Sequence, residues 1–173
     1  EDGIRDDLVT GVQTCALPIW PDDLIQIMWA YGDGIPVNET EMNLRIKDAV
    51  HEIIKKQINA GISVVNDGEV SKPSYATYIK DRLSGFGGES PESYFFADLA
   101  DYPKSNEIVA ANPGRRKRSA PACNGPIEVS DEKAAILDME NLKNSATELK
   151  ADHMFSSAAS PGVISLFFKN TYY

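Results

Sequence analysis

The chain has 173 residues, of which 42% are hydrophobic and 25% are charged, and this is the composition of an ordinary globular protein. Its 17 basic and 26 acidic residues give a formal net charge of −9, which argues against nucleic-acid binding because phosphate backbones would be repelled. No run of about 18 apolar residues predicts a membrane span, and two cysteines, Cys15 and Cys123, cannot make a disulfide framework, as is typical of a cytoplasmic protein.

The first 19 residues, EDGIRDDLVTGVQTCALPI, show neither helical nor strand periodicity. Four acidic residues outweigh Arg5 there, so the basic start of a secretory signal is missing. Residues 2–19 resemble the conceptual translation of a short-read sequencing adapter. We therefore interpret residues 1–19 as a non-native, irregular segment and predict that residues 20–173 form the folded protein.

Two helices are predicted next. Pro21 and the aspartates after it favour a helix start within residues 21–34. Residues 38–61 form the clearest helix, which Asn38 or Thr40 can cap. Apolar residues at helical spacing give this second helix one apolar face: Ile46, Ala49, Val50, Ile53, Ile54 and Ile58.

A short apolar run at residues 62–65 predicts a strand buried on both faces, and acidic residues follow its carboxyl end. Carboxylates of Asp67 and Glu69 can accept hydrogen bonds from a substrate amine or hydroxyl, or act as a base if the pKa is raised. The alternative is a turn in which Asp67 caps the next element and Glu69 is solvated. Lys72 either pairs with Glu69, binds an anionic group, or is a surface lysine.

The middle of the chain is less regular. Pro73 is expected to open a helical turn. Residues 89–122 contain four prolines and are predicted to form a loop-rich excursion. The basic run at 115–118 is interpreted as a solvated loop, since one such run in an acidic chain is weak evidence for nucleic-acid contact.

The last third alternates strands and helices. Residues 121–129 predict a strand and 130–152 a helix capped by Ser130 or Asp131. A further strand is expected from His153 and a helix within 163–173, whose uncovered apolar residues suggest that the native chain continues. The apolar face of the 130–152 helix is predicted to comprise Ala135, Ile136 or Leu137, Met139, Leu142, Ala146 and Leu149.

This alternation indicates an α/β protein with a parallel sheet. A doubly wound sheet would want a GxGxxG turn, which is missing, whereas a β/α barrel places its chemistry at the carboxyl ends of strands. A complete barrel needs roughly 250 residues, so we predict an incomplete (β/α)8 TIM barrel forming one domain.

Cofactor motifs are missing from the sequence. His51, His153, Cys15 and Cys123 lack zinc-ligand spacing, so no metal site made by this chain is predicted. His51 is expected at the edge of the apolar face of its helix, and Cys123 is expected to be a small buried strand residue. No P-loop, GxSxG or Ser-His-Asp set is present, so no catalytic residue is assigned.

Residues 49–88, AVHEIIKKQINAGISVVNDGEVSKPSYATYIKDRLSGFGG, resemble the cobalamin-independent methionine synthase superfamily. They look most like its stand-alone single-barrel members, which include epoxyalkane:coenzyme M transferases. The later segments CNGPIEV and NLKNSATELKADHMFSSAASPGVISLFFKNTYY agree in order, so the resemblance covers residues 20–173. It implies a β/α barrel of the type shared with uroporphyrinogen decarboxylases.

The resemblance also implies alkyl transfer to a small-molecule thiol that a zinc ion holds as thiolate, in methionine synthases from a folate-type methyl donor. Glu69 corresponds to the residue that binds the amino group of the amino-acid thiol, with Asp67 and Lys72 beside it as substrate-binding candidates. Asp67 stands where methionine synthases proper tend to have histidine. The family's zinc ligands are expected beyond Tyr173, and residues 1–19 replace its opening strand, so a barrel truncated at both ends is expected.

Three hypotheses therefore stand. The first is a fragment of a zinc-dependent thiol methyl or alkyl transferase of methionine biosynthesis, inactive by itself. The second is another enzyme on the same barrel, such as a uroporphyrinogen decarboxylase-like enzyme, which would want pocket arginines that Arg45, Arg82 and residues 115–118 do not clearly supply. The third is a truncated polypeptide without function.

Overall fold

A computed structural model describes residues 21–32, 34–72, 78–88, 90, 98–111 and 121–173. The adapter-like segment, the turn expected at Pro73 and the basic run at 115–118 lie outside these residues. The elements in chain order are α1 (Asp22–Gly32), α2 (Glu39–Asn59), β1 (Val64–Val65), a 3-10 helix (Tyr78–Asp81), β2 (Phe86–Gly87), α3 (Asp98–Asp101), α4 (Pro103–Ala111), β3 (Ala122–Cys123), α5 (Glu132–Glu148), β4 (His153–Met154) and α6 (Pro161–Phe167).

The chain divides into two compact units, which are described separately. The first comprises Glu1–Tyr75 and Asp138–Ser157, and the second comprises Ala76–Leu137 and Ala158–Tyr173. In the described part of the chain the strands form two separate two-stranded sheets, and no barrel is closed. Among the described residues, none of the helices combines the length and the apolar character that a membrane span requires.

The first unit is built on the two helices that the sequence predicts. Asn38, rather than Thr40, caps α2, because its side chain accepts a hydrogen bond of 3.2 Å from the backbone N–H of Glu41. One face of α2 packs with α1, β1 and the second half of α5, which confirms the predicted apolar face. The buried residues of this core are Leu24, Met28, Met42, Ile46, Ala49, Val50, Ile54, Val65, Val70, Leu142 and Ala146.

The strand expected at residues 62–65 forms as β1, which pairs in parallel with β4 with Val64 opposite His153. The expectation that it is buried on both faces is wrong. Val65 is completely buried in the core, whereas Val64 is 43% exposed. Side chains alternate between the two faces of a strand, and the described elements cover only the face that carries Val65.

The second unit departs from the expected all-parallel arrangement. β2 and β3 pair antiparallel, with Phe86 opposite Cys123. The Phe86 and Phe168 rings lie 4.7 Å apart, and Cys123 is buried as predicted. Gly85 permits this pairing, because a Cβ there would lie 2.6 Å from the carbonyl oxygen of Pro126.

Residues 98–111, predicted to be part of a loop, contain the helices α3 and α4. Pro103 opens α4, where a proline's fixed φ favours helix initiation although it is also a loop signal. α5 forms as predicted, and Asp131 caps it by accepting from the N–H of Ala134 at 3.0 Å. Its apolar face is only half covered. Leu142 and Ala146 are buried, but four residues nearer the start of α5 are exposed: Ala135, Ile136, Leu137 and Met139.

Candidate functional site

The candidate site is the turn that follows β1. Gly68 and Glu69 have positive φ angles of 62° and 56°, which is the pattern of a type I′ turn between Asp67 and Val70. The N–H of Val70 donates to the carbonyl oxygen of Asp67 at 3.4 Å. Gly68 adopts this conformation without strain, whereas for Glu69 it costs conformational energy, a situation that is concentrated at functional sites.

The end of α2 holds this turn in place. The side-chain amide of Gln57 donates to the carbonyl oxygen of Asn66 at 2.9 Å and accepts from the N–H of Asn66 at 3.0 Å. The side-chain oxygen of Asn66 in turn accepts from the N–H of Gly68 at 2.7 Å. Sequence reasoning missed Gln57, because a glutamine between apolar positions of a helix gives no signal of its partner.

Asp67 is turned into the protein rather than toward solvent. It is 2% exposed, and its Oδ1 accepts from the N–H of Glu69 at 3.0 Å. Its Oδ2 lies 3.6 Å from the Nζ of Lys72. Both carboxylate oxygens of Asp67 therefore have partners within the turn region.

Lys72 is 4% exposed, so the alternative that it is a surface lysine is wrong. Its Nζ donates to the backbone carbonyl of Ser157 at 2.7 Å, and its ion pair is with Asp67. Ser157 follows β4, the parallel neighbour of β1. Lys72 therefore joins the segments that follow the carboxyl ends of two adjacent strands. This contact could not be predicted from the sequence, because Lys72 and Ser157 are far apart in the chain.

Glu69 is half-buried, and the pKa of its carboxyl group is shifted. Burial raises the pKa of the Glu69 carboxyl above its ordinary value, Lys72 opposes this rise, and the Asp67 carboxylate adds to it. No hydrogen bond to the Glu69 carboxylate occurs within the described part of the chain. The structure therefore brings the three predicted residues together in unequal roles, with Glu69 as the carboxylate open to a ligand.

The other polar candidates lie elsewhere. His51 sits at the edge of the core, as predicted, with Nδ1 3.9 Å from Glu148. His153 is exposed in β4. Arg45 pairs with acidic residues of α1 and α2. The described residues contain no group of three or more His, Cys, Asp or Glu that could hold a metal, so they do not fit a zinc site.

The described elements define a mixed α/β protein with charged side chains gathered at the carboxyl end of a parallel strand. No protein-family model matches the chain, and no curated protein matches it. Among solved structures, the chain is similar to a B12-independent methionine synthase from Shewanella sp. W3-18-1, determined in complex with selenomethionine. The sequence identity is 19% and the TM-score is 0.58.

This similarity covers 80% of the chain but only 34% of the methionine synthase. The chain thus spans about a third of the length of that enzyme. At this identity the similarity shows a common fold, and it agrees with the resemblance stated from the sequence. A shared fold does not determine the substrate or the reaction, which have to be inferred from the residues of the site.

Proposed function

We propose that the chain belongs to a β/α-barrel methyl or alkyl transferase of the methionine synthase kind, and that Glu69 binds the amino group of an amino-acid thiol. The observation that carries the proposal is the exposed part of the Glu69 carboxylate, which has no hydrogen-bond partner among the described residues, at the carboxyl end of β1. Strand ends of this kind are where parallel α/β folds bind ligands.

The charges around Glu69 suit an ammonium group. The Asp67 carboxylate lies against the Lys72 ammonium, so the two charges largely offset each other. Glu69 is then the carboxylate whose charge is left for a ligand. An amine that donates to a half-buried carboxylate forms a charge-assisted hydrogen bond, which is stronger than a neutral one.

The proposed reaction is methyl transfer from a folate-type donor to the sulfur of L-homocysteine, in the cytoplasm, as a step of methionine biosynthesis. The role assigned to the described residues is confined to holding the amino end of the thiol, because they do not fit a zinc site. The selenomethionine of the similar methionine synthase is an amino-acid ligand of the kind this role requires.

A coenzyme M-type thiol is the second candidate, because Asp67 occupies the position where methionine synthases proper tend to have histidine. Its sulfonate is an anion, however, which the Glu69 carboxylate would repel. A decarboxylase acting on a polycarboxylate is less favoured still, since it needs free arginines. Arg45 is engaged by Asp23 at 2.5 Å and by Glu52 at 3.3 Å.

A titration of the 173-residue chain with two thiols, followed through its backbone amide NMR signals, separates these candidates. L-homocysteine is expected to shift the signals of Gly68 and Glu69, and Glu69→Gln should abolish the shift while keeping the shape of the side chain. 2-Mercaptoethanesulfonate is expected to leave these signals unchanged. Shifts caused by the sulfonate and not by L-homocysteine would favour the coenzyme M-type function, and no shift with either thiol would refute both.

A further inference from the structure

Lys72 is a buried cation whose role the proposed amino-group binding by Glu69 does not explain. Its ammonium lies 3.6 Å from Oδ2 of Asp67 and donates to the carbonyl oxygen of Ser157 at 2.7 Å. Placing a charge at a site with 4% exposure is costly unless it is compensated. These two contacts provide the compensation, and together they link the first residue of the turn to the chain that follows β4.

Asp67 connects Lys72 to Glu69 through its two carboxylate oxygens. Oδ2 of Asp67 faces Lys72, while its Oδ1 accepts from the backbone N–H of Glu69 at 3.0 Å. The position of Asp67 therefore helps to hold Glu69 in its left-handed conformation, which would otherwise relax because non-glycine residues disfavour it. The backbone N–H of Lys72 also donates to the carbonyl oxygen of Glu69 at 3.0 Å, so a second turn over residues 69–72 follows the first.

We infer that Lys72 is a positioning residue: it fastens the turn at 67–70 to the chain after β4, offsets the charge of Asp67, and so presents Glu69 to the ligand. The last of these steps rests on the proposed function. Lys72 would then not contact an anionic ligand itself, since its ammonium is buried and already engaged by Asp67 and Ser157.

The test measures Glu69 by carboxyl ¹³C NMR as a function of pH in the full chain without ligand. Among the described residues, the charged groups that act on Glu69 are Lys72 and Asp67. Lys72→Met keeps the length and apolar stem of the side chain but removes the charge, so the Glu69 titration midpoint should rise and the Gly68 and Glu69 amide signals should move. Lys72→Arg should largely restore both, and Lys55→Met, at an exposed position of α2, should change neither.

A purely packing role for Lys72 predicts an unchanged Glu69 midpoint in Lys72→Met, and that result would overturn the inference. If Lys72→Met does not fold, the wild-type chain still tests whether the Lys72 ammonium is held in the interior, as positioning requires. Acetylation followed by mass spectrometry should modify Lys72 at least about tenfold more slowly than Lys55, because a buried amine reacts only through local opening. Equal rates would overturn the inference, since an accessible ammonium does not fasten the turn.

The same variants separate this inference from the proposed function. Altered Glu69 signals in ligand-free Lys72→Met, with no L-homocysteine binding by the wild type, would support positioning and refute amino-group recognition. L-homocysteine binding with equal affinity by the wild type and a folded Lys72→Met would support recognition by Glu69 and refute positioning by Lys72.

Discussion

Replacing Gly68 by alanine should destabilise the first unit for two separable reasons. The first is conformational, because a φ of +62° costs an L-residue about 1–2 kcal/mol. The second is steric, because the new Cβ would lie 3.0 Å from Cγ1 and 3.3 Å from Cγ2 of Ile53. Ile53 is β-branched and within α2, so its rotamer is restricted and it cannot move away cheaply.

The steric contact is an overlap of a few tenths of an ångström. Overpacking of this size destabilises a core by about 1 kcal/mol, which is the low end of the range for inserted methyl groups. Gly68→Ala should therefore lower the free energy of unfolding by about 2–3 kcal/mol. Gly61→Ala is the matched control. Gly61 has a φ of +82° but no heavy atom within 4 Å of an added Cβ, so only the conformational cost of about 1–2 kcal/mol applies.

Urea denaturation followed by circular dichroism and tryptophan fluorescence measures both variants, and Trp29 lies against the core of the first unit. The expected result is that Gly68→Ala is about 1 kcal/mol less stable than Gly61→Ala. Equal stabilities would refute the close approach of Gly68 to Ile53. A Gly68→Ala variant as stable as the wild type would refute the left-handed turn that carries Glu69.

Three further predictions concern pH, helix capping and the second unit. Burial raises the pKa of Glu69 above its ordinary value of 4.5, so the folded chain holds this proton more tightly than the unfolded chain does. The stability of the wild type should therefore fall relative to that of Glu69→Gln as pH rises from 4.5 through the raised value. Parallel pH-dependence of the two stabilities in urea titrations would contradict this. Asn38→Ala should cost about 1 kcal/mol of unfolding free energy in the same assay, while Thr40→Ala should cost little, and equal losses would mean that Asn38 is not the cap. Gly85→Ala should lower the free energy of unfolding by about 3 kcal/mol or more, because the new Cβ would lie 2.6 Å from the backbone oxygen of Pro126. If the amide NMR signals of β2 and β3 stay unchanged in this variant, that contact is refuted.

Helices were the most predictable part of the molecule. The apolar spacing of α2 is a local feature that the structure reproduces, and of the two caps that the sequence allows, Asn38 and Thr40, the structure has Asn38. The exposure of Ile136 and Met139 in α5 was not predictable, because periodicity identifies an apolar face without showing which segment covers it. α4 was missed because Pro103 is equally a loop signal and a helix starter.

The strands and the site depend on contacts between distant residues. The run at 62–65 located a strand, although β1 spans only Val64–Val65 of it, and the exposure of Val64 depends on which elements cover the sheet. Asp67, Glu69 and Lys72 were found as a group because they follow that strand. Their different roles depend on Ser157, which is far away in sequence, and on the backbone conformation of Glu69, which no side-chain pattern reveals.

Recognition of an amino group by Glu69 is tested most directly by a cycle that changes the protein and the ligand in turn. The dissociation constants of L-homocysteine and 4-mercaptobutanoate, which differ by the amino group, are measured for the wild type and for Glu69→Gln. Loss of the amino group should weaken binding to the wild type by about tenfold or more, because a hydrogen bond between charged groups contributes about 1.5–3 kcal/mol. In Glu69→Gln the two ligands should bind almost equally. An equal loss of affinity in both proteins would show that the amino group is not bound by Glu69.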